Sequence, residues 1–156
     1  MTAQLNEMAP DFTLLANSGE EVSLSHFKGK NVVLYFYPKD MTPGCTTQAC
    51  DFRDQHEKFS GLNTVILGIS TDPVERHKKF IDKYDLPFLL LADEEHKACE
   101  LYGVWKLKKN FGKEYMGIER STFIIDPEGT LIKEWRKVKV KGHVEEALQF
   151  IQDKQS

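Results

Sequence analysis

A cysteine placed directly after a Pro-Gly pair is the feature of this sequence most suited to chemistry. It lies in Tyr35-Phe36-Tyr37-Pro38-Lys39-Asp40-Met41-Thr42-Pro43-Gly44-Cys45-Thr46-Thr47-Gln48-Ala49-Cys50, where a continuous apolar run gives way to a polar stretch of helical spacing. Cys45 then falls in the first turn of a helix that follows a buried strand. In open α/β sheets, catalytic groups gather there, beyond the carboxyl ends of the strands. Unpaired N–H groups and the positive end of the helix dipole favour an anion at that point. For a thiol this means more thiolate, hence a nucleophile. Pro43-Gly44 lets the backbone fold tightly and leaves amides free to face a ligand, and Thr42 brings a hydroxyl into range of the sulfur. The plainer alternative is a small inert cysteine packed behind a turn; these two neighbours weigh against it.

Cys50 follows five residues later, so the pair is not a Cys-x-x-Cys redox motif. On an intact helix the two would stand about 140° apart in azimuth and roughly 7.5 Å apart along the axis. A disulfide needs Cα atoms within about 7 Å and suitably directed Cβ vectors. The sulfurs can therefore join only if the first turns unwind. Cys50 is either plain core or half of a switch between a dithiol helix and a disulfide-closed loop. The third cysteine, Cys99, lies in a probable-helix segment with no proline, glycine or threonine beside it and reads as structural, although a resolving role stays open. The five histidines form no His-x-x-x-His or His-Glu-x-x-His pattern, so no metal site is expected. There is no P-loop, Gly-x-Gly-x-x-Gly or Gly-x-Ser-x-Gly.

The elements that must position Cys45 follow from the pattern of the chain. Residues 31–37 form a β-branched and aromatic run suited to a strand covered on both faces, stopped by Pro38. A helix over 46–59, ended by Gly61, and a second buried strand over 64–70 complete a βαβ unit. Next come a helix at 74–84, a strand at 88–91 and a helix at 94–102 closed by Gly103. Strands at 119–126 and 130–138 flank Pro127-Glu128-Gly129 as an antiparallel hairpin, and 143–153 is a helix with one apolar face. Near the start, residues 9–14 are extended and 17–20 form a turn before another short strand. At 156 residues and 40% apolar composition, with no repeat or linker, one domain over residues 1–156 is expected.

Net charge is −3, which gives no general reason to bind nucleic acid. No apolar run approaches the roughly 18 residues of a membrane span, and residues 1–12 do not read as a signal peptide. Three cysteines do not suggest a stapled secreted scaffold; a reducing, cytoplasmic setting is the expectation.

The pattern Pro38-x-x-x-Thr42-x-x-Cys45 resembles the active-site motif of the peroxiredoxins. Met41-Thr42-Pro43-Gly44-Cys45-Thr46 followed by Cys50 is similar to their bacterioferritin comigratory protein, or Q-type, branch. The resemblance extends through Ala9-Pro10-Asp11-Phe12, Leu67-Gly68-Ile69-Ser70, Tyr102-Gly103-Val104-Trp105 and Arg120-Ser121-Thr122-Phe123-Ile124-Ile125-Asp126. It implies a thioredoxin-like α/β three-layer sandwich with a mixed central sheet and an N-terminal hairpin extension, and a thiol peroxidase without a cofactor.

By position, the resemblance makes Cys45 the peroxidatic nucleophile, forming a sulfenic acid with hydrogen peroxide or an organic hydroperoxide. Thr42 and Arg120 hold sulfur and substrate, Pro43 and Gly44 line the substrate position, and Pro38 shields it from water. Cys50 becomes the resolving cysteine, with thioredoxin or a similar dithiol protein as reductant. Without the resemblance, Arg120 is only a charge opening a strand. An intramolecular disulfide works in a monomer, which is the expected state, with neither nucleic acid nor membrane as partner. The basic stretches 106–113 and 133–141 could dock an acidic reductase, but a solvated face is the plainer reading. The alternatives are a thiol–disulfide oxidoreductase, against which the missing Cys-x-x-Cys counts, and a non-catalytic redox sensor.

Overall fold

Residues 2–155 are described by a computed structural model. The N-terminal part is an edge hairpin, β1 (Thr13–Ala16) and β2 (Glu21–Ser23), followed by a 3-10 turn at Leu24–Phe27. A parallel unit follows: β3 (Asn31–Phe36), α1 (Pro43–Gly61), β4 (Thr64–Ser70), α2 (Val74–Tyr84) and β5 (Leu89–Ala92). After α3 (Lys97–Leu101), β6 (Trp105–Asn110) and β7 (Lys113–Ile118) form a separate antiparallel ribbon. The chain closes with β8 (Ser121–Ile125), β9 (Leu131–Arg136) and α4 (His143–Gln155). The main sheet has the order β2-β1-β5-β4-β3-β8-β9, mixed as expected, with the hairpin appended beyond β5.

Two apolar layers cover the sheet because successive side chains of a strand point to opposite faces. From β3, Val32, Leu34 and Phe36 join Tyr102, Cys99, Phe12 and Phe123 on one side. Val33, Tyr35 and Tyr37 join Phe52 and Phe59 of α1, Phe80 of α2 and Val144, Ala147 and Ile151 of α4 on the other. The strand is buried along its whole length, which accounts for its unbroken apolar composition. Gly68 sits opposite Tyr35 in β4, where a Cβ would come within 2.9 Å of the Tyr35 hydroxyl and 2.7 Å of Leu90 Cδ2. The glycine makes room for a tyrosine ring that stacks on Phe52 at 4.7 Å.

Three details differ from the sequence expectation. Helix α1 begins at Pro43 rather than at residue 46, since proline has no N–H to lose at the first helical position. Helix α3 is only Lys97–Leu101, entered through His96 in a left-handed conformation with φ 50°. The basic stretch 106–113 holds most of β6 and the turn of a β-ribbon, which reverses through Phe111 and Gly112, both at positive φ.

Candidate active site

Register places the arginine beside the cysteine. Strand β8 runs antiparallel to β3 and pairs Ser121 with Phe36. The residue before β8, Arg120, therefore arrives at the carboxyl end of β3, where the loop to α1 begins. Only an antiparallel neighbour can deliver its first residue to that edge. From there Arg120 donates through Nη2 to Cys45 Sγ at 3.2 Å and through Nη1 to Gln48 Oε1 at 2.6 Å. The guanidinium's fixed fork satisfies both acceptors at once.

Thr42 is the N-cap residue of α1 by position, yet its side chain makes no cap hydrogen bond. Its hydroxyl donates instead to the Lys39 carbonyl at 2.8 Å. The sequence reading has Thr42 hold sulfur and substrate; with its one proton on Lys39, the hydroxyl oxygen still offers lone pairs. The Gly44 and Cys45 amides, at the second and third helical positions, go uncapped by Thr42. Cys45 is buried at 2% exposure, whereas Pro43 and Gly44 are exposed and Pro38 is half-buried. A sulfur in contact with a cation, beside free amide donors and under an open Pro-Gly turn, is built to hold negative charge and admit a small reactant.

Gly44 also has a role that the sequence reading did not assign. A Cβ there would lie 3.2 Å from Arg120 Nη2, so the bare backbone gives the guanidinium its path to the sulfur. Gln48, to which the sequence motif assigns no role, is fully buried and accepts from Arg120. Its spacing, one turn beyond Cys45 on the same helix face, was the signal that could have found it. Half-buried Lys108 of β6 adds to the positive surroundings. Burial lowers its pKa most, the Arg120 charge lowers it further, and Cys45 pulls in the opposite direction.

The other two cysteines separate by environment. Cys50 is half-buried on the intact α1, and burial raises its pKa. Cys99 is fully buried among Tyr102, Phe12 and Ala98, and its pKa is raised far more, first by burial and then by Asp93. Among the described residues, no group of three or more His, Cys, Asp or Glu side chains is arranged to hold a metal ion, and no helix is long and apolar enough to cross a membrane.

Residues 5–134 match the AhpC/TSA family. Peroxiredoxin Bcp of Bacillus subtilis (strain 168) is 67% identical over 153 residues, which are 98% of each chain. This chain belongs to the peroxiredoxins, in the bacterioferritin comigratory protein or Q-type branch. A putative peroxiredoxin bcp of Coxiella burnetii is 53% identical over 148 residues, covering 95% of this chain and 98% of the relative. The Xanthomonas campestris bacterioferritin comigratory protein, studied for alkyl peroxide reduction, superposes with a TM-score of 0.89 at 39% identity over 93% of this chain and 92% of its own. A PrxQ mutant from Xylella fastidiosa gives 0.94 at 32% identity over 100% and 99%. The peroxiredoxin is thus a thiol peroxidase on the thioredoxin fold, an oxidoreductase whose chemistry implies a peroxide substrate and a thioredoxin-type reductant. A primary role as thiol–disulfide oxidoreductase or passive sensor is not favoured by these relatives.

Proposed function

We propose that Cys45 is the peroxidatic nucleophile for hydrogen peroxide and organic hydroperoxides, and that Cys50 resolves it. The observation that carries this reading is the 3.2 Å contact between Arg120 Nη2 and Cys45 Sγ at an uncapped helix N-terminus. A hydroperoxide entering over Pro43-Gly44 donates its O–H to Thr42 Oγ1 and accepts from Arg120. The Cys45 thiolate attacks the O–H oxygen; an S–O bond forms as O–O breaks, and the departing alkoxide or hydroxide takes a proton and leaves as alcohol or water. Arg120 and the Gly44 and Cys45 amides stabilise the charge that moves onto the departing oxygen, each such donor being worth roughly 2–4 kcal/mol. Pro38, half-buried beside the loop, limits water.

Resolution then needs Cys50. Between Pro43 and Gln48 the only buried apolar side chain is Cys45, while firm anchoring starts at Ala49 and Phe52. Unwinding the first turns therefore withdraws only Cys45 from the apolar core. Unwinding also hydrates Cys50, whose pKa burial raises in the helix. Its sulfur displaces the sulfenic oxygen as water, giving an intramolecular disulfide that a dithiol protein reduces. Closure within one chain suits a single-domain monomer, and we place the cycle in the cytoplasm, where a dithiol protein is at hand as reductant. Neither nucleic acid nor membrane is part of the scheme, and no cofactor enters it. A coupled assay with thioredoxin, its reductase and NADPH tests the reading. Cys45→Ser should abolish peroxide-dependent NADPH oxidation, and a fully active Cys45→Ser would overturn it.

A further inference from the structure

Behind the active-site loop lies a buried polar cluster that the peroxidase chemistry does not use. Asp40 and His77 are both fully buried, 37 residues apart in sequence, with His77 Nδ1 2.6 Å from Asp40 Oδ2. Tyr37 donates its hydroxyl to Asp40 Oδ1, and His77 Nε2 donates to the Leu91 carbonyl at 3.0 Å. The Asp40 backbone is held too: its N–H donates to Asp72 Oδ2 at 2.7 Å, and its carbonyl accepts from Arg76 Nη2 at 3.3 Å. These ties come from the ends of β3 and β4, from α2 and from β5. All but the last, which holds His77, converge on one loop residue, five positions before Cys45.

The next residue shows what the anchoring does. Met41 has φ 62°, a left-handed conformation that a side chain disfavours and that persists only where the surroundings over-determine it. Thr42 follows, its hydroxyl turned to Lys39 of the same loop, and α1 starts at once. The position of Thr42 and the direction of the first helical turn are thus inherited from Asp40.

We propose that Asp40 and His77 are a positioning pair for the peroxidase reaction: by fixing this loop they set the balance between the helical state, in which Cys45 meets Arg120, and the unwound state, in which Cys45 reaches Cys50. The proposal rests on the assignment of Cys45 and Cys50 above. Unwinding runs between two posts, Asp40 before the helix and Phe52 within it. Loosening the first post lets Met41 leave its strained conformation and frees the chain leading to Cys45, which favours the unwound state. The two chemical steps need opposite states. A defect in this pair must therefore slow peroxide attack and speed disulfide closure, whereas plain loss of structural integrity gives no reason for one step to accelerate.

The test is single-turnover kinetics with hydrogen peroxide by rapid quench and mass analysis, on the wild type, His77→Ala, Tyr37→Phe and Asp40→Asn. For His77→Ala the expected result is a peroxide rate constant at least tenfold lower and disulfide closure at least threefold faster, with sulfinic acid appearing only at higher peroxide. Tyr37→Phe, the milder change should His77→Ala not fold, shifts both rates the same ways by about twofold. Asp40→Asn can still accept from Tyr37 and donate to His77 Nδ1, so both of its rates stay within twofold of wild type. Both rates falling together, or neither changing, in His77→Ala or Tyr37→Phe with wild-type far-UV circular dichroism would overturn the proposal, as would an Asp40→Asn protein whose rates shift as far as those of His77→Ala. A wild type that forms no Cys45–Cys50 disulfide overturns the underlying assignment, and the proposal with it.

Discussion

A β-carbon on Gly44 would stand 3.2 Å from Nη2 of Arg120, closer than an unstrained contact, and that same nitrogen donates to Cys45 Sγ. The guanidinium is braced by Gln48 and can yield only by moving off the sulfur. Gly44→Ala should therefore reduce the second-order rate constant with peroxide about tenfold while the melting temperature changes little. Stopped-flow measurement on the two proteins checks this; an unchanged rate would show that Arg120 has slack.

Arg120 itself should matter more. Removing one donor that faces developing charge costs roughly 2–4 kcal/mol of transition-state stabilisation, so Arg120→Ala should lose about a hundredfold or more. Arg120→Lys should recover only a small part, because a point-charged ammonium cannot reproduce the fork to Cys45 and Gln48. Near-wild-type rates for the lysine variant would mean that charge alone suffices.

Cys99 is expected to be inert. With its thiol buried and its pKa raised by burial and by Asp93, Cys99→Ala should keep peroxidase turnover within about twofold of wild type. In the native protein the thiol should resist iodoacetamide until denaturant is added. Rapid native alkylation of Cys99, read by peptide mass mapping, would contradict that assignment.

Stability should fall in mild acid partly through His143. This side chain is buried at 3% exposure with Nε2 2.8 Å from Thr122 Oγ1, and burial lowers its pKa from 6.5 to about 4. Between those values the unfolded chain binds a proton that the folded chain refuses, so stability rises with pH across the window. Below about pH 4 the full cost applies, on the order of 3 kcal/mol. Urea unfolding at pH 7 and pH 4.5 should show a smaller pH effect for His143→Gln than for wild type. Identical pH dependence would remove His143 from the account.

The legible parts of this fold were those whose burial is uniform. Strand β3, buried along its length, and β4, almost wholly buried, show as apolar runs, and α2 is bounded by Pro73 and Asp85. The ribbon of β6 and β7 was missed as strand because it is exposed on most of both sides, so its residues lack the apolar–polar alternation that marks a half-buried strand. The start of α1 was displaced because Pro43 and Gly44 read as a turn. In the site, Cys45 was visible from its neighbours, and Gln48 could have been found from helical spacing. Arg120 carried no local signal: its place depends on the β3–β8 register, which a motif encodes and periodicity does not. Asp40 and His77 were beyond reach, since a buried polar pair assembled from separate elements leaves no pattern along the chain.

The central claim is that Cys45 attacks the peroxide and Cys50 closes the disulfide. Intact-mass analysis and peptide mapping after one equivalent of hydrogen peroxide, on wild type, Cys45→Ser, Cys50→Ser and Cys99→Ser, test it most directly. The account expects wild type and Cys99→Ser to lose two hydrogens at a Cys45–Cys50 bridge, and Cys50→Ser to be trapped as a Cys45 sulfenic acid or its over-oxidised form. A Cys45–Cys99 bridge, or peroxide consumption by Cys45→Ser as fast as by wild type, would contradict it.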